Sequence, residues 1–157
     1  MLIGLISDTH SLIRRQALEA LAGSALFRHA GDVGGATVLG ALERIAPVHA
    51  VLGNVDPPDG TLPEHIRLTL EGVCVHISHG NELGSPTPST LLRRYDEDVL
   101  IYGHTHKALV HREAARVVVN PGAAGPARFN VKPSVALMRI QGGSIEVEIV
   151  WLIPQTT

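Results

Sequence analysis

Leu2-Ile3-Gly4-Leu5-Ile6-Ser7-Asp8-Thr9-His10 is an apolar run that stops abruptly at a polar tripeptide, and it sets how the rest of the chain is read. A short apolar run of this kind is a buried strand, and Asp8-Thr9-His10 is the loop that leaves its carboxyl end. Leu12 to Ala22 then carries apolar residues at helical spacing. The rhythm repeats with a strand over Ala25 to Ala30 ending in Gly31-Asp32, a helix over Thr37 to Ile45, and a strand over Val48 to Leu52 ending in Gly53-Asn54. Alternating β and α units of this type predict a parallel sheet with helices on both faces.

Beyond Asn54 the pattern turns β-rich. Val55-Asp56-Pro57-Pro58-Asp59-Gly60 is a loop punctuated by two prolines and a glycine. His65 to Leu70 and Val73 to Ser78 read as a hairpin, followed by a helix with Pro86 and Pro88 near its start that runs to about Tyr95. Val99 to Tyr102, Leu109 to Arg112, Arg116 to Asn120, Ser134 to Ile140 and Ser144 to Leu152 complete a second run of strands. The expected fold class is α/β, a layered sandwich of two mixed β-sheets flanked by helices, its first half mainly parallel, within a single domain over residues 1–157.

Composition narrows the function classes. The 157 residues are 45% hydrophobic and 18% charged, enough for one domain that buries roughly 70% of its unfolded surface. Thirteen Lys and Arg against fifteen Asp and Glu leave a net charge of -2, which offers no broad basic field for a polyanion, so stable nucleic-acid binding is not expected. No apolar run approaches the ~18 residues of a membrane span, and no basic leader precedes Met1-Leu2-Ile3-Gly4, so a cytoplasmic protein is expected. The single cysteine, Cys74, lies in an alternating apolar segment and reads as a small buried hydrophobe. The β-rich second half makes a homodimer a reasonable expectation.

Nine histidines are the unusual number, and their placement matters more than their count. Polar clusters fall where strands end: Asp8-Thr9-His10, Gly31-Asp32, Gly53-Asn54, His79-Gly80 and Gly103-His104-Thr105-His106. In an α/β sheet the carboxyl ends of the strands are where ligands bind. Gly-His-x-His is expected only about 0.05 times from this composition, whereas Gly-Asp and His-Gly arise readily by chance. Two carboxylates, four imidazoles and one amide oxygen exceed the ligands of one tetrahedral ion and suit two divalent ions sharing a carboxylate. Mixed nitrogen and oxygen donors without thiolate favour manganese, iron, zinc or nickel. The paired ions would exceed the two carboxylates by two charges, which one hydroxide and one phosphodiester monoanion would match.

With these residues in place, the sequence resembles the calcineurin-like metallophosphoesterases, in particular their small single-domain bacterial and archaeal phosphodiesterases. The resemblance runs from Ile3 to about Gly125 and includes Asn120-Pro121-Gly122-Ala123, where relatives usually carry Asn-Pro-Gly-Ser. It implies Asp8, His10 and His106 on one metal, Asn54, His79 and His104 on the other, and Asp32 between them. It also implies two divalent ions, Mn²⁺ first among them, and hydrolysis of a small, nucleotide-derived phosphodiester by a hydroxide bridging the ions, with no protein nucleophile. Asn54 and Arg128 are the candidate contacts to substrate.

One departure stands out. Many relatives carry a histidine after the asparagine of the second metal site, as general acid; here that place is Val55, which transfers no proton. The resemblance then implies diesters with good leaving groups, or another acid. Asp56, next in the chain, reads as a turn cap. The segments 56–64 and 81–89 are expected to wall the pocket. Of the other histidines, His29, His49, His65, His76 and His111 all read as structural or surface residues, with His29 and His76 the two placed best to fix a ligand imidazole. The alternatives are a phosphomonoesterase or protein phosphatase on the same centre, a mononuclear metal-binding module, and a non-catalytic scaffold of the retromer-subunit type, whose metal site is degraded.

Overall fold

A computed structural model describes residues 1–127 and 130–152. The elements follow in the order β1 (Leu2–Ile6), α1 (Arg15–Leu21), β2 (Leu26–His29), α2 (Ala36–Glu43), β3 (Val48–Ala50), β4 (His65–Leu70), β5 (Val73–Ser78), α3 (Pro88–Arg94), β6 (Val99–Ile101), β7 (Leu109–Glu113), β8 (Arg116–Asn120), β9 (Ser134–Gln141) and β10 (Ser144–Trp151). Two five-stranded mixed sheets stack, one ordered β10-β9-β1-β2-β3 and the other β4-β5-β6-β8-β7. None of the described helices is long and apolar enough to cross a membrane.

The α/β sandwich agrees with the sequence reading, with two differences in its assembly. The parallel trio β1, β2 and β3 has helices on one face only. Ile6, Phe27 and Ala50 pack with Ala17, Leu21, Val38 and Leu42 of α1 and α2, while Ile3 and Leu5 pack against Val75, Ile77, Ile101 and Val119 of the other sheet. The C-terminal hairpin also leaves the second run of strands and joins the first sheet, β9 pairing antiparallel with β1 through Leu5↔Ala136 and Leu2↔Arg139. Val135, Ala136, Met138 and Ile140 are all buried, so β9 needs cover on both faces, which an interior strand supplies.

Helix starts follow their caps. Thr87 accepts from the Thr90 amide in a capping box and Pro88 follows at the first turn, so α3 begins there and not at Pro86. Arg14 supplies no side-chain cap, and α1 begins three residues after Leu12. Cys74 corrects the expectation of a buried thiol. Val73, Val75 and Ile77 take the inter-sheet face, which turns Cys74 outward into solvent.

Candidate metal centre

β1, β2 and β5 all point their carboxyl ends at one edge of the sandwich, as do the loops after β3 and β6. The chain must turn sharply there, and Asp8, His10, Asp32, His104 and His106 all adopt positive φ, between 45 and 70°. Strained backbone at non-glycine residues persists only where the surroundings enforce it. Two glycines permit the close approach. A Cβ on Gly53 would lie 2.1 Å from the amide nitrogen and Oδ1 of Asp32, and one on Gly103 would lie 2.1 Å from Ser7 Oγ and 2.6 Å from Asp8 Oδ2.

The carboxylates occupy the middle. Asp8 is fully buried, and its Oδ2 accepts from Ser7 Oγ at 2.6 Å and from the His104 amide at 3.2 Å. Its Oδ1 has no hydrogen-bond donor and faces the Nε2 atoms of His106 at 3.3 Å and of His10 and His79 at 3.8 Å. Asp32 Oδ1 accepts from the Val55 amide at 3.0 Å, leaving Oδ2 3.2 Å from His79 Nε2 and 3.7 Å from His10 Nε2. Two overlapping groups result, Asp8–His10–His106 and Asp8–Asp32–His79, each with ligand atoms within 4.8 Å of one another. Asn54 Oδ1 lies 3.1 Å from His104 Nδ1, and the His104 ring centroid is 5.2 Å from that of His79. The fold thus gathers Asp8, His10, Asp32, Asn54, His79, His104 and His106, while Arg128 lies outside the described residues.

A buried carboxylate oxygen without a donor, ringed by imidazole nitrogens, is an arrangement that a cation completes. The bare electrostatics agree. Burial would lower the His79 pKa, but Asp32 and Asp8 beside Nε2 and the Ala30 carbonyl at Nδ1 raise it. Burial opposes ionisation of Asp32, yet His79, the Val55 amide and His10 hold its pKa below the ordinary value. His104 is lowered, by burial first and then by His79. The pocket therefore attracts positive charge at its centre and offers neutral imidazole at its rim.

His29 and His76 take structural roles, and neither bonds a candidate ligand imidazole among the described residues. His29 Nδ1 accepts from the Gly31 amide at 3.1 Å, so its proton sits on Nε2 and is donated to Thr9 Oγ1 at 3.0 Å. Thr9 passes a hydrogen bond on to the Val33 carbonyl at 2.7 Å. His29 thereby ties the turn after β1 to the turn after β2 as a neutral ring, its pKa pushed down to about 4 by burial. His76 bonds His65 and lies against Tyr95, ring centroids 3.9 Å apart. A backbone carbonyl, Ala30 O at 2.7 Å, orients His79 instead. His49 and His111 are exposed, as expected.

Three supporting residues carried no motif. Ser7 holds Asp8, as described. Glu82 accepts from the Gly80 amide at 2.9 Å and from Tyr95 Oη at 2.6 Å, securing the turn after His79. The first contact is local to the turn, whereas the second joins residues 13 apart through the fold of the segment 80–95, which no local pattern announces. Asp56 does more than cap its own turn: its carboxylate also takes the Val33 and Gly34 amides of the segment after β2.

The sequence profile of the Calcineurin-like phosphoesterase superfamily domain matches residues 1–143. A protein of Methanothermobacter thermautotrophicus named "Probable metallophosphoesterase" is 37% identical over 161 residues, spanning 96% of this chain and 92% of that protein. Among solved structures, Entamoeba histolytica Vps29 complexed with Zn²⁺ superposes with a TM-score of 0.80 at 26% identity, covering 98% of this chain and 100% of its own. A novel archaeal phosphodiesterase shares the fold with a TM-score of 0.76 at 22% identity, covering 96% of this chain and 100% of its own.

Proposed function

The chain belongs to the calcineurin-like phosphoesterase superfamily, and on that premise we propose that it hydrolyses small phosphodiesters, nucleotide-derived ones among them, with two divalent ions, Mn²⁺ first. The carrying observation is Asp8 Oδ1, buried without a donor and faced by His10, His79 and His106. Asp8, His10 and His106 would hold one ion, His79, His104 and Asn54 the other, and Asp32 would reach both. Ions bound there supply Lewis-acid stabilisation of the phosphoryl group and a water acidified towards neutrality.

The protein's own contribution is orientation. The Ala30 carbonyl holds the proton of His79 on Nδ1, so Nε2 presents its lone pair to the pocket. Ser7 and the His104 amide fix one oxygen of Asp8 and free the other. Val55, 56% exposed beside Asn54, offers no proton to a leaving oxygen, which favours esters of acidic alcohols such as phenols.

Diester preference follows from charge. The carboxylates Asp8 and Asp32 leave two ions with a surplus that a monoanion and a hydroxide match, and a monoester dianion would exceed it. Purified protein dialysed against Mn²⁺ and assayed on bis-aryl and mono-aryl phosphates tests this directly. We expect two equivalents of metal, faster turnover of the bis-aryl ester, and loss of both in Asp32→Ala. Faster mono-aryl turnover would make the protein a phosphomonoesterase, one equivalent of metal a mononuclear module, and failure to take up metal or turn over either ester a scaffold.

A further inference from the structure

Asp56 is 6% exposed and stands outside both candidate ligand groups. Its carboxylate is nevertheless filled. Oδ2 accepts from the Gly53 amide at 2.9 Å and the Val33 amide at 3.2 Å, and Oδ1 accepts from the Gly34 amide at 3.1 Å. A carboxylate has about four lone-pair sites, so three of them bind backbone here. The donors come from two segments far apart in sequence, one leaving β2 with Asp32 and one leaving β3 with Asn54. Between those segments the Val55 amide holds Asp32 Oδ1 at 3.0 Å.

We propose that Asp56 is a positioning residue for the ion site built on Asp32, rather than a local turn cap. Clamping Val33 and Gly34 onto Gly53 sets the distance between the two segments. That distance keeps the Val55 amide on Asp32 Oδ1 and aims Oδ2 at His79 and His10. Asp32 would reach both ions, and the clamped segment also takes the Ser11 amide on the Val33 carbonyl at 3.0 Å, so the clamp serves the pair. The inference rests on the two-ion reading above.

Asp56→Asn tests it, because the amide turns one acceptor oxygen into a donor that confronts a backbone N–H. Binding of Mn²⁺ is followed by titration with metal analysis, beside thermal melting and steady-state kinetics. The wild type should take two ions. Asp56→Asn should still take two, each roughly 10- to 100-fold more weakly, the range for residues that orient ligands. Saturating Mn²⁺ should restore kcat with an unaltered pH profile, as neither a proton-transfer role nor a merely structural one predicts. If the variant melts below the assay temperature, Asp56→Glu replaces it. That change keeps the charge but displaces the carboxylate from the Val33, Gly34 and Gly53 amides, and the same loss is expected. Wild-type affinity for both ions, or a loss of kcat that saturating Mn²⁺ does not restore, overturns the proposal while leaving the two-ion reading intact. A wild type that takes fewer than two ions overturns both.

Discussion

His79 Nδ1 lies 2.7 Å from the Ala30 carbonyl oxygen, and His79 Nε2 lies 3.2 Å from Asp32 Oδ2. One nitrogen is spent on the backbone of β2 and the other is turned into the site, so the imidazole is fixed by the same strand end that delivers Asp32. His79→Gln keeps a polar group there but loses this two-point hold. We expect metal-dependent activity to fall by more than the roughly 100-fold seen for outer partners. Activity within tenfold of the wild type at saturating Mn²⁺ would remove His79 from the metal centre.

Acid should destabilise the metal-free protein through its buried neutral histidines. Burial lowers the pKa of both His29 and His76 from 6.5 to about 4. Between those values the unfolded chain binds protons that the folded chain does not, so stability is complete above pH 6.5 and declines as the pH falls to about 4. Each group accounts for at most about 3 kcal/mol. Urea midpoints across that window should drop, and the double variant His29→Gln/His76→Gln should show a flatter profile. A slope identical in the double variant would assign the loss to other groups.

Gly103→Ala places a methyl group 2.1 Å from Ser7 Oγ and 2.6 Å from Asp8 Oδ2. Overpacking of this kind costs about 1–3 kcal/mol. It also pushes on the one carboxylate shared by both ligand groups. The melting temperature and the metal content of the purified variant should fall together. Full occupancy with an unchanged melting temperature would mean that the Gly103 turn relaxes freely.

Val55→His adds an imidazole to an exposed rim position beside Asn54. General acid catalysis contributes roughly 10²- to 10⁴-fold, and most where the leaving group is poor. Alkyl diesters should therefore gain up to about 10²-fold in kcat, and aryl diesters little. Equal gains on both would point to tighter binding in place of proton donation.

Much of this architecture is legible locally. Asp8-Thr9-His10 and Gly103-His104-Thr105-His106 are visible because glycine and polar residues interrupt apolar runs, and the strands β4, β5 and β8 keep their expected bounds. What escapes the sequence is long-range. The pairing of Leu5 with Ala136, the amides of Val33 and Gly34 on Asp56, and Tyr95 on Glu82 join segments that no spacing relates. Cys74 and His76 share an outward face of β5, yet Cys74 is solvent-exposed and His76 lies buried against Tyr95. Alternation assigns a face without saying what covers it.

The antiparallel seam between β1 and β9 also governs the order in which the molecule can be made. The amides of Ala124 and Gly125 bond the carbonyls of Ser7 and Asp8, and β9 follows them in the chain to flank β1. During synthesis every candidate ligand from Asp8 to His106 leaves the ribosome before that flank exists. A nascent chain stalled before Ser134 therefore leaves the β1 edge without its antiparallel partner and open to neighbouring chains.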